Sequence, residues 1–381
     1  MPTMSLNIPD DVILSIFDAL AGPARISWPK DEYDVQRAKA PYRLASVCRR
    51  WRNLALGTSA LWTYFGFPHG VADQKGHLIR LDDLISRSSQ AAIDVLFIGR
   101  HMDEYGQDAL YIFRALYDLA PRWRTVQLHV FYLYSFGQKL EIPRAPRLTR
   151  LCLKTPQTGK LKFSSTLPSM RTLIMFTPDS VLTQLVCKAY AEQLVDLCIS
   201  EDFLDPTFGP ISCPRLRNLV TDDARYLSRF RAPGLRTLSV NATRLGKFPP
   251  SPDVEFPSVD HLVLYGTVTP MAINVFRRLT FISRLSFAIP AEIAATLSVQ
   301  RHVTFDETFF PALATSVAFQ RLAHISITSN ASVHYNELTA FLISRTSIVL
   351  DCKSIPDEFR DKLQQYIMHP TATGKFAFES A

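Results

Sequence analysis

Residues that could perform catalysis or bind metals are scattered along this sequence. Of the six cysteines, the closest pair is Cys187 and Cys198, eleven positions apart. Zinc fingers and ribbons need ligand pairs a few residues apart, so the spacing excludes that class. Among the nine histidines, His261 and His324 occupy equivalent positions of two repeated segments, but no acidic or cysteine partner recurs beside them.

The sequence contains none of four common catalytic or cofactor-binding motifs. It has no phosphate-binding P-loop, no G-x-S-x-G nucleophile elbow, no H-E-x-x-H zinc site and no G-x-G-x-x-G dinucleotide motif. We therefore predict that the protein is not an enzyme, that it has no catalytic residues, and that it binds neither a metal nor a cofactor.

The composition is that of a globular protein. The chain has 381 residues, 47% of them hydrophobic and 20% charged, and a net charge of +7. This excess permits a nucleic-acid partner without requiring one. No apolar run approaches the roughly 18 residues of a membrane span, and the N-terminus lacks a basic signal-peptide region. We expect an intracellular protein, cytoplasmic and/or nuclear, with no membrane partner.

The first 65 residues predict two amphipathic helices separated by a loop or insertion at about 21–40. The first helix begins near Pro9, and the second begins near Pro41. Their apolar stripes are Val12, Ile13, Ile16, Phe17 and Leu20 in the first helix, and Leu44, Val47, Cys48, Trp51, Leu54 and Ala55 in the second. Two such helices can bury one face against each other. Apolar surface left over would either pack on the rest of the chain or bind a partner.

This segment resembles an F-box. The resemblance rests on Ile8-Pro9-Asp10-Asp11-Val12-Ile13-Leu14, then Val47-Cys48-Arg49-Arg50-Trp51-Arg52, and finally Leu61-Trp62. The insertion departs from the compact form of the motif, but it is similar to insertions in F-box-like proteins of mushroom-forming fungi. The resemblance implies docking on a Skp-type adaptor and, through it, on the cullin of a ubiquitin ligase.

The family motif also implies which residues take part in docking. Ten positions would either contact the adaptor or hold the helices together, and the sequence leaves these two roles undivided. They are Ile8, Pro9, Val12, Ile13, Ile16, Phe17, Leu44, Val47, Trp51 and Leu54. Residues 41–64 carry four arginines and no acidic residue, which would attract an acidic partner.

The remaining chain contains a repeated pattern of the form apolar-x-x-apolar-x-apolar. Nine matches begin at residues 123, 148, 170, 194, 216, 235, 259, 282 and 322. Eight of the nine starts are separated by steps of 19–25 residues, and the last step, of 40, predicts an insertion around 297–318. Proline stands two residues ahead of six starts. The pattern resembles an irregular leucine-rich repeat without the asparagine ladder.

The predicted fold class is α+β to α/β. We expect a helical F-box in 1–65, a linker or connecting helix in 66–89, a leucine-rich-repeat-like solenoid in 90–352, and a C-terminal helix with a loose tail in 353–381. The solenoid would have short parallel strands, the first at Ile93–Phe97 and the last at Ile348–Leu350, with helices on its convex side. Those helices are predicted at 104–119, 179–191, 270–279, 335–345 and 356–367.

The third, fifth and seventh residues of each repeat are expected to form an exposed ligand face. Candidate contact residues on it are Arg150, Lys154, Phe176, Asp196, Asn218, Asp222, Asn241, His261, Tyr265, Arg284 and His324. This face has a net charge of only +1 and lacks the basic track with stacking aromatics that nucleic acid needs. Its mixed polar and apolar character indicates a protein target.

The sequence therefore predicts a substrate-recognition subunit of a cullin–RING ubiquitin ligase, which binds a Skp-type adaptor and an unidentified protein substrate. Two alternatives stay open. The chain could be a leucine-rich-repeat interaction protein outside a ligase, with the F-box-like segment acting only as an N-terminal cap. A nucleic-acid-binding protein is the less favoured alternative.

Overall fold

The computed structural model describes most of the chain. The described residues are 8–21, 35–67, 74–99, 106–130, 141–154, 162–163, 167–176, 186–199, 210–222, 224–245, 256–277, 279, 281–290, 303–316, 319–327, 331–333, 335–344, 348–352 and 361. Within them the protein is a mixed α/β structure with a large parallel sheet. None of its described helices is both long enough and apolar enough to cross a bilayer.

Helices occupy several of the predicted positions. The α-helices of the described residues are α1 (Asp10–Ala21), α2 (Val35–Val47), α3 (Arg49–Gly57), α4 (Gln74–Ser88), α5 (Gly106–Asp118), α6 (Ala242–Leu245), α7 (Pro270–Phe276), α8 (Phe309–Thr315) and α9 (Tyr335–Ser344). The predictions at 104–119, 270–279 and 335–345 are confirmed by α5, α7 and α9. Of the prediction at 179–191, residues 186–190 are described and are helical. The predicted C-terminal helix and tail lie outside the described residues, apart from residue 361.

The strands follow in chain order. They are β1 (Tyr64–Phe67), β2 (Ile93–Gly99), β3 (Trp123–Val130), β4 (Glu141–Ile142), β5 (Arg150–Lys154), β6 (Lys162–Phe163), β7 (Thr172–Phe176), β8 (Asp196–Ile199), β9 (Ile211–Ser212), β10 (Asn218–Thr221), β11 (Phe230–Arg231), β12 (Thr237–Asn241), β13 (His261–Tyr265), β14 (Thr267–Val268), β15 (Arg284–Phe287), β16 (Val303–Phe305), β17 (His324–Ile327), β18 (Ala331–Ser332) and β19 (Val349–Cys352).

The main sheet has twelve parallel strands in the order β1-β2-β3-β5-β7-β8-β10-β12-β13-β15-β17-β19. The chain divides into two compact units, the first being Met1–Met170 with Thr177–Asp179, and the second Arg171–Phe176 with Ser180–Ala381. The first unit contributes β1, β2, β3 and β5, and the second contributes the other eight strands. Strand β1 was not predicted, because its sequence YFGF is short and lies outside the repeat.

All nine predicted repeat strands are confirmed as strands of this sheet, and so are the strands predicted at Ile93–Phe97 and Ile348–Leu350. Ile93–Phe97 is not the first strand, however, because β1 precedes it. The register of the repeat strands pairs residues that the repeat alignment made equivalent. Asn218 lies opposite Asp196 on one side and Thr237 on the other, and His261 lies opposite Thr237 and Arg284. The apolar repeat positions are buried, as shown by Leu235, Leu238 and Val240, each 0% exposed. Each such side chain contributes about 1.5–3 kcal/mol.

The recurring proline lies in a β-turn just before the strand. In the repeat that starts at Leu148, the amide of Leu148 donates to the carbonyl oxygen of Ala145 at 3.1 Å, so Pro146 holds the second turn position. Four other repeats have the same turn, with Pro168, Pro214, Pro233 and Pro257 in it. This position suits proline, since its fixed φ matches the turn and its missing N–H is not needed there.

The second predicted helix is wrong in its start and in its continuity. Helix α2 begins at Val35 and contains Pro41, so residues 35–40 of the predicted insertion are helical, while 22–34 lie outside the described residues. The helix ends at Val47. Cys48 is extended, and its Sγ accepts a hydrogen bond from Trp51 N at 3.5 Å, which caps α3. The single helix predicted here is therefore two helices, α2 and α3.

The predicted insertion around 297–318 contains regular structure in its described residues 303–316. Strand β16 pairs in parallel with β14 and β18 in a separate three-stranded sheet, and α8 follows it. Five phenylalanine rings pack together here at centroid distances of 4.7–6.2 Å. They are Phe287, Phe305, Phe309, Phe310 and Phe341. The long step of the repeat thus contributes Phe305, Phe309 and Phe310, which pack on Phe287 of β15 and Phe341 of α9.

Candidate partner-binding surfaces

Burial divides the ten residues that the F-box motif singles out. Ile13, Phe17 and Leu44 are buried, with at most 4% of each side chain exposed. Ile8, Ile16, Trp51 and Leu54 are half-buried, and Pro9, Val12 and Val47 are exposed. The buried members pack the three helices together, while the exposed ones lie at the surface, where a partner could reach them.

Aromatic rings hold these helices in place. The rings of Phe17 on α1 and Trp51 on α3 meet edge to face with centroids 5.3 Å apart. Trp62 is buried and donates its indole N–H to the carbonyl oxygen of Ala55 at 2.8 Å. A buried indole usually needs such a partner, so Trp62 fixes the end of α3 against the turn that follows it.

Exposed apolar side chains are concentrated in the same segment. Of nine large hydrophobic side chains that are exposed among the described residues, five lie between residues 10 and 57. They are Val12 (43%), Leu20 (58%), Tyr42 (37%), Val47 (59%) and Leu56 (38%). Single exposed apolar residues are ordinary on protein surfaces, and these five are the candidates for a contact with a partner.

The surface of these helices carries both signs of charge. Arg50 forms an exposed ion pair with Asp10, and its Nε donates to Asp10 Oδ1 at 2.8 Å. Arg52 donates to the carbonyl oxygen of Ala45 at 3.0 Å, and Asp11 and Asp18 are exposed on α1. The expected basic patch of residues 41–64 is therefore partly neutralised by the first helix.

A buried ion pair ties α2 to the sheet of the first unit. Asp94 on β2 accepts hydrogen bonds from Arg37 (2.6 Å), from Arg124 (2.6 and 2.9 Å) and from Thr125 (2.8 Å). Asp94 is 2% exposed and Arg37 6%. Burial alone would raise the pKa of Asp94, but the hydrogen bonds and charges of Arg124 and Arg37 outweigh it and hold this pKa below its usual value.

The predicted ligand face is only partly accessible, which corrects the expectation that third, fifth and seventh positions are exposed. Of the eleven candidates, Phe176, Asp222, Asn241 and Tyr265 are buried. Arg150, Lys154, Asp196, His261 and His324 are half-buried, and Asn218 and Arg284 are exposed. The buried four are all seventh-position residues. For Asn241 and Tyr265 the cause is that α6 packs on β13 and β14, at the carboxyl ends of their strands.

Most residues at the fifth position of the repeat are also buried. Seven of them are at most 9% exposed, because side chains of neighbouring parallel strands stand in register and cover one another. They are Cys152, Ile174, Cys198, Val220, Ser239, Val263 and Ser286. The accessible part of the face is therefore the row of third positions at the amino ends of the strands.

Three of the buried candidates form a polar network instead of a binding face. Tyr265 Oη lies 2.9 Å from Asp222 Oδ1 and 3.0 Å from the carbonyl oxygen of Thr221, and donates its proton between them. Asn241 Nδ2 donates to Asp222 Oδ1 at 3.3 Å, and its Oδ1 accepts from the Thr243 amide at 3.1 Å. This network satisfies a buried carboxylate, so its role is structural.

We expect Tyr265→Phe to lower the free energy of unfolding by about 1–3 kcal/mol, because it removes a donor from the buried Asp222 carboxylate. Urea denaturation measures the change. Tyr111→Phe is the matched control, since Tyr111 is 55% exposed, and it should change stability by less than about 0.5 kcal/mol. Equal stabilities of the Tyr265 variant and the wild type would contradict this assignment.

His261 is neutral at physiological pH. Burial lowers its pKa to about 4, with Arg284 and His324 adding to the effect and Asp260 opposing it. Its Nε2 lies 2.8 Å from Ser286 Oγ. Any positive charge at this end of the sheet therefore comes from lysine or arginine side chains and not from His261.

The sequence contains a signal for such residues that the predicted ligand face leaves out. The second residue of a repeat is arginine in four of nine repeats, at Arg124, Arg171, Arg217 and Arg236. Arg124 binds Asp94, whereas the other three are exposed and make no ion pair among the described residues. The recurrence of arginine at the second repeat position could have identified these residues from the sequence.

Among the described residues, no group of three His, Cys, Asp or Glu side chains is arranged to hold a metal ion. No protein-family model matches this sequence, and no curated protein matches it.

Proposed function

We propose that the protein is the substrate-recognition subunit of a cullin–RING ubiquitin ligase, with the helices α1–α3 binding a Skp-type adaptor and the repeat strands binding a target protein. The observation that carries this proposal is the division of the F-box motif positions by burial. Ile13, Phe17 and Leu44 form the interior of the helical segment, while Val12 and Val47 are left at the surface. Apolar side chains exposed beside charged ones are suited to a protein interface.

The parallel strands support the second half of the proposal. Strands in register repeat the same backbone geometry across the second unit, so side chains at equivalent positions form rows that an extended partner can follow. Such a receptor needs no catalytic groups, since it acts by holding its target close to another enzyme.

The direct test is capture of a Skp-type adaptor by the co-expressed full chain. We expect Val12→Glu with Val47→Glu to weaken capture by at least about tenfold, because each replacement brings a charge into the proposed apolar contact. Ile79→Glu is the control, since Ile79 is 68% exposed on α4, outside the motif. The proposal fails if the double variant captures the adaptor as well as the wild type does. Trp51 is a poorer choice, because it packs on Phe17 and its replacement would also loosen the helices.

The alternative that this segment is only an N-terminal cap draws on a specific contact. β1 pairs with β2, and the Asp94 amide donates to the carbonyl oxygen of Thr63 at 2.9 Å. Removing residues 1–65 would therefore uncover the edge of β2 whether or not the segment also binds an adaptor. Loss of solubility after truncation cannot separate the two functions, whereas the surface variants of Val12 and Val47 can.

A further inference from the structure

The amino ends of the strands in the second unit carry a row of basic side chains. The amino-end basic row consists of Arg171, Arg217, Arg236, His261, Arg284 and His324. The first three immediately precede β7, β10 and β12, and the others are the first residues of β13, β15 and β17. All four arginines are exposed, and none forms an ion pair among the described residues.

The backbone of this row is fixed by the sheet itself. The carbonyl oxygen of Arg217 accepts hydrogen bonds from the amides of Arg236 and Thr237, both at 2.9 Å. The carbonyl oxygens of Arg171 and Arg236 each accept two amides from the next strand in the same way, at 2.8–3.1 Å. Because the sheet already fixes these backbone positions, binding of a partner costs little conformational entropy in this part of the chain.

Like charges stand next to each other in the row. Arg217 and Arg236 immediately precede the paired strands β10 and β12. Same-sign charges on adjacent strands disfavour the free protein. A ligand that brings negative charge would remove this repulsion, so the row is electrostatically suited to an acidic partner.

The acidic residues beside the row do not neutralise it. Asp196 on β8 accepts hydrogen bonds from Thr172 Oγ1 at 2.9 Å and from Asn218 Nδ2 at 2.6 Å, one on each carboxylate oxygen. Asp260, which precedes β13, is exposed and lies near His261. Four arginines face two aspartates, and one of those aspartates is already occupied by neighbouring strands.

We propose that the amino-end basic row binds an extended segment rich in Asp and Glu on a partner protein. Parallel strands are about 4.8 Å apart, so the seven strands from β7 to β17 span about 29 Å, which an extended peptide covers with about nine residues. The planar guanidinium of arginine matches carboxylate geometry. Nucleic acid fits less well, because the row contains no Phe, Tyr or Trp side chain for base stacking and two aspartates interrupt it.

This inference rests on the proposed function in one respect, which is that the acidic segment belongs to the target protein of the ligase. The test uses the purified full chain and fluorescence anisotropy of a labelled oligoglutamate peptide, with oligoglutamine of equal length as the neutral probe. We expect the wild type to bind oligoglutamate more tightly than oligoglutamine and to lose affinity as salt is raised. Equal binding of the two peptides would overturn the inference.

The variants assign the binding to the row. Arg217→Glu with Arg236→Glu should weaken oligoglutamate binding by about tenfold or more, while lysine at both positions should retain part of the affinity. Arg114→Glu with Arg277→Glu makes the same change in net charge at exposed sites outside the main sheet and should bind nearly as the wild type does. A similar loss in both double variants, with folding intact by circular dichroism, would overturn the assignment.

Two further measurements separate the outcomes. Tighter binding of a single-stranded DNA oligonucleotide through the same arginines would replace the peptide with nucleic acid as the ligand. Adaptor capture by the Arg217/Arg236 double variant should be unchanged. If the wild type binds oligoglutamate but captures no adaptor, the proposed ligase function fails while the basic row stands. If the wild type captures the adaptor but does not bind oligoglutamate, the inference about the basic row fails while the proposed ligase function stands.

Discussion

Replacing Asp94 with alanine is expected to lower the free energy of unfolding by about 3–5 kcal/mol, a large part of the stability of a typical domain. Asp94 is the acceptor for Arg37, Arg124 and Thr125, and Arg37 has only 6% of its surface exposed. Without the carboxylate, the buried Arg37 guanidinium would lose the charge and the 2.6 Å hydrogen bond that Asp94 supplies. Chemical denaturation of wild type and variant measures the loss.

The control for Asp94 is Asp83→Ala. Asp83 pairs with Arg87 at 3.3 Å on α4, but both side chains are about one-third exposed, so we expect a loss of at most about 1 kcal/mol. Comparable losses in the two variants would show that the buried pair contributes no more than a surface pair.

The same carboxylate predicts a direction of pH dependence. The pKa of Asp94 is lowered in the folded protein, so its contribution to stability is full above its unfolded pKa of about 3.9 and is lost as pH falls through the lower folded pKa. We expect the difference in stability between wild type and Asp94→Asn to be constant near neutral pH and to shrink below about pH 4. A difference that grows on acidification would contradict this sign.

Phe310→Ala is expected to destabilise the second unit by about 3–5 kcal/mol. Phe310 is 0% exposed, and its ring lies 5.1 Å from that of Phe305, 5.2 Å from Phe309 and 6.1 Å from Phe341. Alanine would leave a cavity among four other aromatic rings. Urea denaturation followed by hydrogen exchange of α8 and α9 would measure the loss and assign it to this region.

The matched control is Phe281→Ala. Phe281 is 48% exposed and contacts only Arg321 among the aromatic and cationic contacts of the described residues, with the guanidinium 4.7 Å from its ring centroid. We expect a loss below about 1 kcal/mol. A small effect of Phe310→Ala, similar to that of the control, would mean that the cluster can collapse around the missing ring.

The strands of the sheet were predictable because the same apolar pattern recurs nine times in the sequence. A single L-x-x-L-x-L match is weak, but nine matches at near-constant steps fix both position and register, as in Leu238 and Leu262, which pair on β12 and β13. Strand β1 has no such redundancy. Its four residues become a strand through pairing with β2, which depends on the rest of the sheet.

The interruption at Cys48 could not be read from the apolar pattern. Leu44, Val47 and Trp51 keep helical spacing across it, and cysteine is not among the preferred N-cap residues. The partners of Asp94 could not be predicted from the sequence either, since Arg37 and Arg124 lie 57 and 30 residues away along the chain. The burial of Tyr265 depends on the packing of α6, which has only four residues.

The proline turn that precedes five of the repeat strands also bears on how this protein could change over generations. Two pairs of neighbouring repeats meet through the same contact, since Ser169 donates to the carbonyl oxygen of Pro146, and Ser258 to that of Pro233, both at 2.7 Å. Duplication or loss of one whole repeat would therefore rejoin compatible surfaces. Insertion of a single residue in a strand would turn its core side chains outward. The number of arginines available to a partner can thus grow or shrink in repeat-sized steps while the fold is kept.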